Sequence, residues 1–243
     1  MRAFLAQVRI ELVVALRQGE QLIVTIGIPL GILLFFSQVD ILPTSSKVRT
    51  PVDFLAPAVL ALAIMSTALV SLGIGTGFQR YYGVLKRLGT TPLGRPRLLG
   101  AKVAMVLLTE VAQFVVLIGA ALLLGWSPEA GWAAVVVATL LGTAAFAGLG
   151  LLLAGTLSGP ANLAACNGLF LILLVTGGMM VPFEKLPAVL RHVSELLPAA
   201  ALSDVMIGSL NSGSHVHGGS WAVLITWAVV LPSLAAWKFR WEP

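Results

Sequence analysis

Residues 130 to 183 form a run of 54 positions without one Asp, Glu, Lys or Arg. A water-soluble fold, with charge on about a quarter of its residues, cannot cover its surface from such a stretch. As a single helix rising about 1.5 Å per residue, the run would far exceed a hydrocarbon core of about 30 Å. It must therefore fold back on itself, and "LSGPANL" supplies the break. Gly159 can end one helix, while Pro160 fits the first turn of the next but not a helix interior. Two membrane spans result, at about 132–157 and 162–181.

The rest of the chain divides in the same way. Apolar spans are expected at about 21–39, 54–78, 103–126 and 220–238, the last flanked by tryptophans that suit the membrane interface. With 58% hydrophobic and 10% charged residues, the chain is expected to be an all-α polytopic membrane protein with six transmembrane helices in one domain, 21–243. Residues 1–20 place Leu5, Val8, Leu12, Ala15 and Leu16 on one helical face, which predicts an interfacial amphipathic helix. The charges mixed into this stretch leave no signal-peptide pattern.

Six spans put both termini on one side. A cytoplasmic N-terminus gives the inside eleven of the 15 basic residues and the outside four: Lys47, Arg49, Lys185 and Arg191. The net charge of +5 thus reads as topology, with membrane lipid rather than nucleic acid as the surface it meets.

Six basic residues fall between positions 80 and 102: Arg80, Lys86, Arg87, Arg95, Arg97 and Lys102. Tyr81, Tyr82, Val84, Leu85 and Leu88 alternate with Lys86 and Arg87 as in a short amphipathic helix, and "TTPLGRP" then turns the chain back. Such a segment can set orientation and touch anionic lipid, or dock on another protein; its residues alone leave both open.

"YYGVLKRLGTTPLGRPRLLGAK" resembles the segment between the second and third helices of type-2 ABC exporter permeases. There a Gly-x-Leu-x-x-Leu-x-x-Thr-Pro-Leu run precedes a basic, Leu-rich restart of the helix. In this chain the run falls on Gly83, Leu85, Leu88, Thr91, Pro92 and Leu93. The resemblance implies a cytoplasmic coupling helix seated on a separate ATPase, with Tyr82, Lys86 and Arg87 in the contact. The family often carries an acidic residue before the glycine; here Tyr81 and Tyr82 stand in its place.

A second stretch, "TGGMMVPFEKLPAVLRHVSELLPAAALSDVM", is similar to the same family's outer segment in its Gly-rich break, its prolines and its acidic residue. The matching positions are Gly177, Gly178, Pro182, Leu186, Pro187, Leu197, Pro198 and Asp204. The resemblance implies an extracellular re-entrant pair of half-helices acting as a gate; periodicity alone is equally consistent with an ordinary outer loop.

Taken together, the resemblance implies a bacterial plasma-membrane permease subunit that is not itself an enzyme. An ABC ATPase partner would hold ATP and Mg, this chain would hold no cofactor, and a second permease subunit, identical or related, would complete the pathway. The implied direction is export, with a hydrophobic or amphipathic drug or lipid as cargo. No Gly-x-x-x-x-Gly-Lys-Ser/Thr motif occurs in the chain, so it carries no phosphate-binding loop of that kind.

Glu110 and Gln113 are the candidate pathway residues. If the helix enters the core near Val103, Glu110 lies about 10 Å deep, where a carboxylate must face protein or water. Either a substrate contact or an interhelix hydrogen bond would satisfy it. His215 and His217 alternate as metal ligands can, but no Cys, Asp or Glu lies in the surrounding loop, so no metal site is expected. Gly73, Gly75 and Gly77 in "LGIGTG" sit in a span rather than after a strand, which points to close helix packing and not to a nucleotide loop. Cys166 reads as a packing residue. A membrane-embedded lipid-modifying enzyme would cluster Asp, His or Lys, whereas the ten acidic residues here are scattered. A secondary transporter would show internal repeats and mid-membrane charges beyond Glu110.

Overall fold

The computed structural model describes residues 7–10, 13, 19–38, 50–89, 94–128, 131–180, 187–211 and 216–241. Among them the chain is helical throughout, without strands. We label the helices α1 (Gly19–Phe36), α2 (Pro51–Tyr81), α3 (Val84–Gly89), α4 (Arg95–Leu123), α5 (Trp132–Thr156), α6 (Gly159–Thr176), α7 (Ala188–Ser194), α8 (Pro198–Leu210) and α9 (Ser220–Lys238). Five of them, α2, α4, α5, α6 and α9, are long and apolar enough to cross a membrane. This is an all-α polytopic membrane protein. The first expected span falls on α1, whose described apolar part is Thr25–Phe36. Most of the expected interfacial helix at 1–20 lies outside the described residues.

Local chemistry explains several helix limits. Thr50 and Asp53 form a capping box: Asp53 Oδ2 accepts from the Thr50 N–H at 3.0 Å, and Thr50 Oγ1 accepts from the Asp53 N–H at 3.4 Å. Pro51 occupies the first turn, where its missing N–H costs nothing. Gly159 and Pro160 open α6 in the same manner. Helix α4 begins at Arg95 and carries Lys102 as a buried side chain, eight residues before Glu110.

Helix α2 is the axis of the bundle. Within its most apolar window 83% of residues are buried, against 22% to 28% for α4, α6 and α9. The outward residues of those peripheral helices, such as Val111 and Val115 on α4, Leu171 and Val175 on α6, and Val229 on α9, are large and apolar. In water they would form an aggregation-prone belt; in a bilayer they meet lipid. Small residues let the inner helices close. Gly73 of α2 faces Gly150 of α5, and Gly148 of α5 receives the backbone of α9 at Pro232. Of the three glycines in "LGIGTG", Gly73 and Gly77 meet neighbours, whereas Gly75 has none within 4 Å. Cys166 is buried beside Gly73.

Candidate functional site

Three regions hold the residues singled out by sequence. The first is the end of the bundle where α2 gives way to α3 and α4. Arg80 is 6% exposed and donates from Nη1 to the carbonyls of Ala154 and Leu157, at 2.7 and 3.0 Å. It caps the last turn of α5, where a cation complements both orphan carbonyls and the helix dipole. Arg80 therefore belongs to the fold rather than to the exposed basic surface. Replacing it with Ala is expected to lower stability by about 1–3 kcal/mol, read as earlier loss of the monodisperse protein on heating in detergent, with Arg80→Lys intermediate.

Beyond Arg80 the aromatic rings of Phe78 and Tyr82 stack at 6.0 Å between centroids, and Tyr81 meets Tyr82 edge-on at 5.3 Å. Gly83 then takes φ +70°, a left-handed conformation that turns the chain into α3. On α3, Leu85 is fully buried against Leu98, with Leu88 half-buried beside them. Lys86 and Arg87 are exposed, as are Tyr82 and Val84, while Tyr81 is half-exposed with its ring against Gly159. The helix is thus anchored by Leu85 and presents a mixed aromatic and basic surface. Thr91, Pro92 and Leu93 lie outside the described residues.

The second region is a polar cluster inside the bundle. Thr143 Oγ1 donates to Glu110 Oε2 at 2.7 Å, Thr67 Oγ1 donates to Gln113 Oε1 at 2.9 Å, and Gln113 Nε2 donates to the Thr25 carbonyl at 3.0 Å. These bonds join α1, α2, α4 and α5. Glu110 stands at the centre of its apolar span, Arg97–Leu123, and Thr67 and Thr143 stand near the centres of theirs. Thr67 lies in a π-helical turn of α2, Ser66–Ser71, a widened geometry that recurs where helices serve function. Glu110 and Gln113 are both enclosed, at 1% and 0% exposure. Glu110 Oε1 finds no hydrogen-bond partner among the described residues.

The third region is the opposite end. Gly177 packs against Ala199, and Gly178 turns with φ +69°. Pro187 precedes α7, and Pro198 opens α8. Helix α8 slants into the bundle. Its far end touches Gly131 at the start of α5, while Leu202 reaches Gly142, well along α5. The Leu196 carbonyl accepts from Trp227 Nε1 at 2.8 Å, two turns inside α9. Asp204 fixes the corner between α8 and α9. Its carboxylate accepts from the His217 N–H at 2.9 Å and from Ser220 Oγ at 2.7 Å, and meets His217 Nδ1 at 2.6 Å. A cavity of about 470 Å³ opens there, lined by Arg191, Glu195, Asp204 and His217 above an apolar floor. Pro182, Leu186 and His215 lie outside the described residues. Among the described residues no three His, Cys, Asp or Glu side chains converge as metal ligands would.

Sequence reasoning missed the partners in each region. Asp204 lies outside the loop that holds His217, the π turn has no local signature, and Thr67 and Thr143 are unremarkable in apolar spans. A hydroxyl facing a lone acid at mid-span was the available signal.

A family model described as ABC-2 family transporter protein matches residues 20–237. No curated protein matches the chain.

Proposed function

Since this chain belongs to the ABC-2 family of transporter proteins and is the membrane permease subunit of an ABC transporter, we propose that it is the transmembrane half of an exporter driven through α3 by a separate ATPase. The observation that carries this reading is the form of α3: a short helix held by one buried leucine, Leu85, with Lys86 and Arg87 presented to solvent. A partner can grip such a helix without disturbing the bundle's core. In this reading ATP and Mg bind the partner, the partner dimer closes, and α3 carries that motion into α2 and α4.

Two permease subunits, identical or related, would enclose the pathway. Gln113 would act on it by holding the π turn of α2 through Thr67, and Glu110 by tying α4 to α5 through Thr143, so that a shift of these helices must break or carry their bonds. The outer half-helices, with Gly177, Gly178, Pro182, Leu186, Pro187, Pro198 and Asp204, would form the exit gate, α8 being held to α9 through Asp204. An apolar interior with few polar groups favours a hydrophobic or amphipathic cargo, a drug or a lipid. The chain would lie in a bacterial plasma membrane with both termini cytoplasmic, since that places the basic surface of α3 inside.

Affinity purification of this chain from its native membrane tests the reading. Recovery of an ATP-hydrolysing partner at a fixed stoichiometry is expected. Clean recovery of the chain without any ATPase would favour a secondary transporter or a membrane-embedded enzyme instead.

A further inference from the structure

Leu85 and Leu98 form a small apolar cluster of their own, separate from the main core of the bundle. What closes it comes from the far end of the sequence: Phe239 and Trp241 pack against the pair, with their rings 5.0 Å apart. The backbone of this tail is fixed as well. The Arg240 N–H donates to the Gly155 carbonyl at 3.1 Å, and the Phe239 N–H continues α9 by donating to Ala235. Gly155 makes this approach possible, since a Cβ there would stand 2.9 Å from the Phe239 Cα. The tail therefore sits between α3 on one side and the end of α5 on the other, and it is covalently the end of α9. These residues fall just beyond the family match at 20–237.

We propose that residues 239–241 are a force-transmitting element, with Phe239 and Trp241 as positioning residues that pass displacement of α3 to α5 and α9. The proposal rests on the reading that α3 is the seat of the ATPase. The chain links α3 to α2 through Gly83 and to α4 through the segment after Gly89, and the Leu85–Leu98 contact adds packing to α4. A left-handed glycine turn is a compliant link. The aromatic tail adds a packed one, and close-packed side chains transmit displacement because they cannot be compressed. It also leads to α9, and it reaches the end of α5 by a route separate from the Arg80 bonds to Ala154 and Leu157. Since α5 carries Thr143 and α9 carries Ser220, motion entering by the tail would reach both the polar cluster and the outer corner at Asp204.

Hydrogen exchange on the complex of this chain with its copurified ATPase, nucleotide-free and trapped with ATP and vanadate, reads this directly. In the native complex, trapping is expected to change exchange at 84–89 and at 152–157 together. In the Phe239→Ala/Trp241→Ala double variant, the change at 84–89 should persist while that at 152–157 falls at least threefold. Trp241→Phe should restore most of it. Gly155→Ala, which keeps both rings but displaces the tail, should reproduce the loss, and it serves if the double variant does not fold. An undiminished change at 152–157 in the folded variants would overturn the proposal. If trapping leaves 84–89 unchanged in the native complex, the seat of the ATPase lies elsewhere, and the parent reading fails together with this one.

Discussion

Reversing both charges on α3, with Lys86→Glu and Arg87→Glu, should reduce the ATPase recovered per permease at least tenfold while leaving the chain folded and inserted. Both side chains are exposed and neither contributes to the apolar cluster around Leu85, so their reversal leaves that cluster intact. A docked partner depends on their sign. Placing like charges across an interface costs several kcal/mol, and a tenfold loss requires only about 1.4 kcal/mol. Raising ionic strength should weaken the native complex in the same sense, because exposed charges separated by more than about 10 Å are screened at 0.1 M salt. Full ATPase recovery on the double reversal would remove α3 from the docking surface.

The second large effect lies in the helix crossing at "LGIGTG". Gly150→Leu is expected to abolish the folded protein, and Gly150→Ala to destabilise it by about 1–3 kcal/mol. A Cβ at Gly150 would stand 2.9 Å from the Leu69 carbonyl and 3.0 Å from that of Ala68. These are backbone atoms of α2, and they cannot swing aside as a side chain can. Gly73→Ala should behave similarly, pressing on Gly150 Cα and Cys166 Sγ, each at 3.0 Å. Gly77→Ala should displace the buried Asn162 amide, which donates to the Gly73 carbonyl at 2.9 Å. Gly75→Ala is the internal control. It meets nothing within 4 Å and should be neutral or stabilising by up to about 1 kcal/mol, from helix propensity alone. The fraction of each variant surviving a heat step in detergent, read by size exclusion, separates these outcomes. Equal tolerance at positions 73, 75 and 150 would contradict the crossing.

The contrast among these glycines shows how far sequence could be read. Membrane length, charge silence and the Gly159-Pro160 pair made an all-α membrane bundle legible, because those signals depend on the bilayer and on local backbone rules. The packing role of "LGIGTG" was legible as a class, but which glycines face α5 depends on the rotation of α2. Long-range partners were not legible. Arg80 looked like one more loop cation, yet its acceptors, Ala154 and Leu157, lie more than seventy residues away. Lys102 looked like a solvated boundary charge, yet it is buried within α4. The Asp204 contact with His217 crosses from one element to another, and no spacing within the "NSGSHVHGGS" loop announces it.

These positions also rank the residues by what their substitution would report. Glu110 and Gln113 sit where four helices meet, so their variants would read bundle integrity and coupling together. A polar group left unpaired at that depth costs more than the bond it loses. Lys86 and Arg87 lie on the exposed surface of α3, away from that polar cluster.

The most direct test of the central account, a permease seated on its ATPase through α3, is a cross-link from that helix. Cys166 is the sole cysteine and is buried, so a cysteine placed at Lys86 offers one accessible thiol, and one placed at His217 gives a control at the opposite end. A thiol-to-photoreactive linker on membranes bearing the native partner should give a covalent adduct from position 86 that contains a protein with the Gly-x-x-x-x-Gly-Lys-Ser/Thr motif. Position 217 should give none. An ATPase adduct from 217 but not from 86, or no ATPase adduct at either position from membranes that contain the partner, would contradict the account.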